Sequence, residues 1–171
     1  MSIPTSAQEP RFIADAMLAR LARWLRVLGW DTVYDPARHD PELVTLAERE
    51  RRILLSRDRA LIQDRLPRHS VEGLLLQSQD PLEQLREVLT AFGLRPGGEL
   101  FTRCLLCNTL LRTATADEMA TLVPPEAQAL PGPIRRCPDC GRMYWPGSHT
   151  RRMREALVRA LPGWFGGTGT P

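Results

Sequence analysis

The amino-acid sequence predicts an α/β domain on a parallel sheet, followed by a small strand-rich module held by a metal and then a basic helix. Three observations lead there. Up to residue 94, short and nearly continuous apolar runs alternate with amphipathic helical patterns, as expected of βαβ units around a buried parallel sheet. Four cysteines follow in two identically spaced pairs, CLLC at 104–107 and CPDC at 137–140. From Ser148 onwards, SHTRRMREALVRAL is a basic helical pattern with that serine as its expected cap.

In chain order, residues 1–10 lack periodicity and read as a frayed leader. RFIA at 11–14 is a first strand that stops at Asp15, and AMLARLARWLRVLG follows at once as a helix. Leu18, Leu21, Leu25 and Leu28 form its buried stripe, Arg20, Arg23 and Arg26 recur every third residue, and Gly29 stops it. DTVY at 31–34 is a second strand. The helix opening at Pro41 takes Asp40 as its N-cap. RILLS at 52–56 is a third strand ending at Arg57 and Asp58, with a short helix through Leu66, and EGLLLQ at 72–77 is a fourth. The last helix of the domain begins near Pro81, after Asp80, and ends at Gly93. RPGG at 95–98 marks the boundary. Residues 11–94 are thus one domain and 99–161 a second, with flexible termini at 1–10 and 162–171.

Composition narrows the function. At 171 residues with 43% hydrophobic content, the chain buries one ordinary core and a satellite. No apolar run approaches the roughly 20 residues of a membrane span or the form of a secretory signal, so a cytoplasmic protein with reduced thiols is expected. The net charge is +3, and every basic residue is arginine. Codon composition accounts for that, although arginine also suits phosphate better than lysine does.

Two-residue spacers let both thiolates of a tight turn reach one tetrahedral ion. Cys104, Cys107, Cys137 and Cys140 are therefore expected to bind structural zinc in a ribbon, with a Pro-rich excursion at 124–133 looping out between the knuckles. Four thiolates leave the zinc no open position for chemistry. Asp15 and Asp58 each follow a strand and Asp40 opens a helix after another, so all three belong to the rim where α/β sheets bind ligands. Carboxylates converging there repel unless a hard divalent cation such as Mg²⁺ or Mn²⁺ neutralises them. Such an ion supports phosphodiester hydrolysis. Each aspartate alone also serves as a helix cap.

The runs IADAMLARLARWLRVLGWDT, HDPELVTLA, ILLSRDRAL, FTRC and RCPDCGRMYWPGSH resemble the Mut7-C ribonuclease family over about residues 11–157. The resemblance implies a PIN-like three-layer α/β domain with a C-terminal zinc ribbon, a divalent-metal ribonuclease, and Asp15, Asp40 and Asp58 as its metal-binding acids. Related PIN-like domains often carry a further acid where this chain has Ala60, which points to a three-acid site holding one metal. Arg20, Arg23, Arg57 and Arg59 are expected at RNA phosphates, with Arg151 and Arg152 of the last helix tracking the backbone of single-stranded RNA. The ribbon would aid binding of RNA or a protein partner.

Trp24, Trp30, Tyr144 and Trp145 are expected in packing rather than base stacking, and His39, His69 and His149 in structural or exposed positions. A receiver-like phosphoacceptor is disfavoured because that chemistry usually uses a lysine at the site. The alternative that stays open is a non-catalytic RNA-binding or adaptor protein.

Overall fold

The computed structural model describes residues 9–95 and 98–165. Four strands, β1 (Phe12–Ala14), β2 (Thr32–Tyr34), β3 (Ile53–Ser56) and β4 (Gly73–Leu75), form one sheet in the order β2-β1-β3-β4, and every pair is parallel. The chain runs outward from β1 to β2, then crosses back to β3 and continues to β4. The order therefore reverses between β1 and β3, which makes their carboxyl ends the topological switch point.

Alternation along the two central strands divides the core. Phe12, Ala14, Ile53 and Leu55 face the larger cluster, with Leu18 just ahead of helix α1 (Ala19–Val27), Leu21 and Leu25 from that helix, and Leu85, Val88 and Leu89 from α3 (Pro81–Ala91). Ile13 and Leu54 face the smaller one, beneath Leu43, Val44 and Ala47 of α2 (Asp40–Glu50) and Leu61 and Leu66 beyond it. Both faces of β1 and β3 are thus covered, which is why these strands read as uninterrupted apolar runs.

The expected elements are present, with local corrections. A 3₁₀ turn (Ala16–Leu18) precedes α1, and Gly29 sits just past its end at φ 90°. Asp80 caps α3 by accepting from the Leu82 and Glu83 N–H groups at 2.9 and 3.0 Å. Asp40 is not the N-cap of α2. It lies inside the first turn, and His39 takes the cap, its N–H donating to the Glu42 carboxylate at 3.3 Å. The short helix after β3 is π-helical over Ala60–Arg65 and then 3₁₀ over Leu66–Arg68. The proposed boundary at 95–98 has residues 96 and 97 outside the described part.

The cysteine module is a three-stranded antiparallel sheet of β5 (Arg112–Thr113), β6 (Arg135–Arg136) and β7 (Met143–Tyr144). The segment between the knuckles is more structured than a loop, because α4 (Ala116–Leu122) and α5 (Pro125–Gln128) fill it. Thr115 and Glu118 form a reciprocal capping box at the start of α4. Val123, Ala127 and Ile134 close a small core of their own. Helix α6 (Ser148–Ala160) begins one residue after its cap, which is Gly147 rather than Ser148. Its Leu157, with Leu161, joins the main core against α3. Trp164 and Phe165, in the tail expected to be disordered, are partly buried on that core; residues 166–171 lie outside the described part.

The first knuckle is bonded into the α/β domain at the amino edge of the sheet. Arg26 is buried, not displayed with Arg20 and Arg23. Its Nε donates to Thr32 O at 2.9 Å, and its Nη1 donates to Leu105 O and Leu106 O at 2.9 and 2.8 Å. Asn108 donates from its amide to Asp31 Oδ1 at 2.8 Å and accepts from the Thr32 N–H at 3.0 Å. Arg52, 5% exposed at its side chain, reaches the same Asp31 oxygen at 2.6 Å.

Burial raises the Asp31 pKa, but the hydrogen bonds from Arg52 and Asn108 outweigh it and hold the carboxyl at about 2. A depressed carboxylate stabilises the fold above its unfolded value near 3.8 and loses that contribution as pH falls toward 2. After allowing for solvent screening, the contribution is about 1 to 2 kcal/mol. Asp31→Asn is therefore expected to lose stability at neutral pH and to show a flatter dependence between pH 4 and 2. Urea titrations across that range check it, and parallel curves for the two proteins would refute the assignment.

Candidate active site and cysteine centre

Each parallel strand delivers its last residue to the same edge, so Asp15 after β1 and Ser56 at the end of β3 meet at the switch point. Asp15 is 8% exposed and Ser56 fully buried. The Ser56 hydroxyl donates to Asp15 Oδ2 at 2.7 Å and accepts from the Asp58 N–H at 2.9 Å. One hydroxyl therefore ties both acids to the sheet. Sequence reading missed Ser56, although it precedes Arg57 and Asp58 at the end of an apolar strand.

Asp58 is exposed and caps the π-helical turn, Oδ1 accepting from the Ala60 and Leu61 N–H groups at 2.8 and 3.2 Å. Oδ2 makes no hydrogen bond among the described residues. Asp40 reaches the same edge because α2 starts there, yet it is engaged elsewhere: Arg65 Nη1 donates to its Oδ2 at 2.6 Å. Among the described residues, Asp15, Asp40 and Asp58 are not gathered into a group that could hold a metal ion as they stand. The structure joins Asp15 to Asp58 and leaves Asp40 in an ion pair.

Arg57 is half-buried and Arg59 exposed on either side of Asp58, while Arg20 and Arg23 are exposed on α1. None of these four has an ion-pair partner among the described residues. Arg151 and Arg152 lie on the exposed side of α6, Arg151 at 3.9 Å from Glu155 and Arg152 donating to Ser148 O at 3.2 Å.

The four cysteines do converge. Their sulfurs lie within 4.8 Å of one another, with Cys104 to Cys140 at 3.6 Å and Cys107 to Cys137 at 3.4 Å. Tetrahedral thiolates at about 2.3 Å from zinc stand roughly 3.8 Å apart, so the cluster is compatible with a zinc ribbon. The knuckles are built alike. In one, the Cys104 N–H donates to Thr109 O and the Asn108 N–H to Cys104 O; in the other, Cys137 pairs with Arg142 and Gly141 with Cys137 in the same way. The residue after each second cysteine adopts positive φ, 69° at Asn108 and 72° at Gly141. Glycine is the default there. Asparagine tolerates it and uses its side chain to reach Asp31.

The sulfurs are electrostatically unequal. Burial raises the Cys104 pKa, but backbone N–H groups of Cys107 and Leu106 and the Tyr144 hydroxyl, 3.2 Å away, bring it down to about 6. Tyr144 accepts from the Leu105 N–H at 2.9 Å and so has its own hydrogen for that sulfur. Cys137 is pushed up to about 12 by burial and by neighbouring sulfur. Four bare thiolates at these separations repel, and a dication resolves the conflict.

A doubly wound sheet with acids at its switch point, continued by a four-cysteine module, defines a two-part α/β protein. The chain belongs to the Mut7-C RNase family: the model described as Mut7-C RNAse domain matches residues 10–157. Neither the curated proteins nor the solved structures gave a match. Among the described residues, no helix is long and apolar enough to cross a membrane.

Replacing Ser56 by alanine removes the Asp15 donor and leaves the Asp58 N–H without its acceptor. A loss of about 1 to 3 kcal/mol follows from the cost of stranding buried polar groups. Chemical denaturation measures it, and an unchanged midpoint would show that the hydroxyl holds neither acid.

Proposed function

We propose that this chain is a divalent-metal-dependent ribonuclease that hydrolyses phosphodiester bonds of single-stranded RNA at the carboxyl edge of its sheet. The observation that carries the reading is Asp15, an 8%-exposed carboxylate at the switch point held by a buried hydroxyl. Among the described residues no cationic side chain pairs it, and placing a carboxylate there is costly unless a cation is bound at work. Membership of a ribonuclease family supports RNA as the substrate.

In this reading Asp15 is the principal ligand of Mg²⁺ or Mn²⁺, Asp58 lies beside it with Oδ2 available, and Asp40 joins by exchanging Arg65 for the ion. The donor set suits a hard cation that keeps several waters, because such sites need only one or two direct carboxylates. The ion supplies Lewis acidity and charge for the transition state of phosphodiester hydrolysis. Arg57 and Arg59 flank Asp58 and position the phosphates, with Arg20 and Arg23 extending that basic surface along α1. Cys104, Cys107, Cys137 and Cys140 bind a structural zinc at the opposite edge, where it takes no part in the chemistry.

A second reading has one observation in its favour. Asp40 paired to Arg65 and Asp58 acting as a cap are what a non-catalytic RNA-binding or adaptor protein would keep.

Incubation of the purified chain with mixed-sequence single-stranded RNA and Mn²⁺ or Mg²⁺ separates the two. Cleavage is expected from wild type and a loss of at least about a hundredfold from Asp15→Asn, since a site ligand is removed. RNA binding without cleavage in both proteins would establish the adaptor. Elemental analysis should find one zinc per chain, retained in Asp15→Asn and lost in a Cys104→Ser, Cys137→Ser double variant. Zinc loss should lower the thermal midpoint, and a chain equally stable without it would overturn the structural role.

A further inference from the structure

A cleft of about 910 Å³ opens between the cysteine module, the segment leading to Phe101 and α6. It lies toward the amino edge of the sheet, since the Phe101 N–H donates to Val27 O at the end of α1. The acids occupy the other edge. Trp145, Trp164 and Phe165 contribute half-buried rings to its walls, and α6 contributes Arg151 and Arg154.

The charges in the cleft do not cancel. Glu99 is the acid of the lining, and it is already paired with Arg135, whose guanidinium also serves the Leu100 and Phe101 carbonyls. Arg154 has no ion-pair partner among the described residues, and Arg151 reaches Glu155 only at 3.9 Å. Two positive charges therefore face a cleft whose remaining surface is mostly apolar, with five aromatic residues, Phe101, Tyr144, Trp145, Trp164 and Phe165, among its leucines, prolines and glycines. An apolar peptide would leave both guanidinium groups unmatched. Flat rings beside unpaired arginines suit a chain that alternates planar bases with phosphates, and such platforms accept single strands with little regard to sequence.

We infer that this cleft seats single-stranded RNA, with bases stacked on Trp145 and Trp164 and phosphates neutralised by Arg151 and Arg154. The inference rests on RNA being this protein's ligand. It differs from the site at Asp15 in position and in chemistry: the cleft grips the strand and the acids act on it. The helix contributes through Arg151 and Arg154. Arg152, which shares the helix, is not part of the lining.

The test is fluorescence anisotropy of the full, zinc-loaded chain with a labelled 20-nucleotide oligouridylate, without added Mg²⁺ or Mn²⁺, over a series of salt concentrations. Wild type should bind with quenching of tryptophan emission. An Arg151→Gln, Arg154→Gln double variant should bind more weakly, with a log–log salt slope shallower by about 1.4, or roughly 0.7 per phosphate contact on a single strand. Trp164→Ala should bind about tenfold more weakly through loss of one stacked base. Because Trp164 also packs on the core, the double arginine variant decides the matter if Trp164→Ala fails to fold. Unchanged affinity and slope in that variant, or no RNA binding by wild type, would overturn the inference. No step here involves hydrolysis. A chain that binds through the cleft but never cleaves RNA refutes only the nuclease reading, and one that cleaves while its binding ignores the cleft refutes only this one.

Discussion

Burying a guanidinium is costly unless its donors find acceptors, and Arg26 meets that condition only because the first cysteine knuckle turns two carbonyls toward it. The third acceptor, Thr32 O, belongs to the strand that α1 precedes. One side chain thereby fixes the helix, the edge strand and the knuckle relative to one another. Its electrostatics fit the same picture: burial lowers the Arg26 pKa, while Cys104 and Cys107 pull it up. Zinc held by the four thiolates would carry a formal charge of about −2, and a nearby buried cation would lower the cost of placing that centre against the domain. Asp31, Arg52 and Asn108 complete the joint from the sheet side.

That joint gives the molecule its polarity. Parallel strands have chemically different ends, and this chain uses them for different purposes. The amino edge receives the knuckle, through Arg26, Thr32 and Asn108. The carboxyl edge carries Asp15, Ser56 and Asp58. The four sulfurs gather at one edge, away from the acids at the other. The sheet between the edges is packed on both faces and transmits position rigidly.

Most of the α/β domain was legible in the sequence because its signals are local. Apolar runs at 11–14 and 52–56, the leucine stripe from Leu18 to Leu28, and Asp80 before Pro81 each describe an element without reference to anything distant. The cysteine cluster was legible for the same reason, since CxxC spacing encodes knuckle geometry directly. What failed depended on long-range contact or on competition between adjacent residues. Arg26 shares a period of three with Arg20 and Arg23 but meets carbonyls 79 and 80 residues away. His39 and Gly147 displaced the better cap formers beside them, which began their helices instead. Helix α4 was hidden by the prolines that follow it, although Thr115 and Glu118 carry a capping-box signature. Ser56 was read only as the end of a strand, because a hydroxyl shows its role through what it touches.

The acidic edge raises a question of balance that its geometry answers in part. Asp15 is constrained by burial and by Ser56, so its carboxylate is preorganised and loses little freedom when a ligand arrives. Asp40 is constrained by Arg65, whose side chain is 57% exposed. An exposed pair of this kind is worth less than about 1 kcal/mol, a small barrier beside the attraction between a carboxylate and a divalent ion. On the proposed function, the pair keeps Asp40 at the edge, neutralised, without withholding it from a metal. It also neutralises a third negative charge at the edge that carries Asp15 and Asp58. Arg65 itself comes at the end of the π-helical segment that Asp58 caps. The ion-pair partner of Asp40 and the cap made by Asp58 therefore sit at opposite ends of one short helical segment.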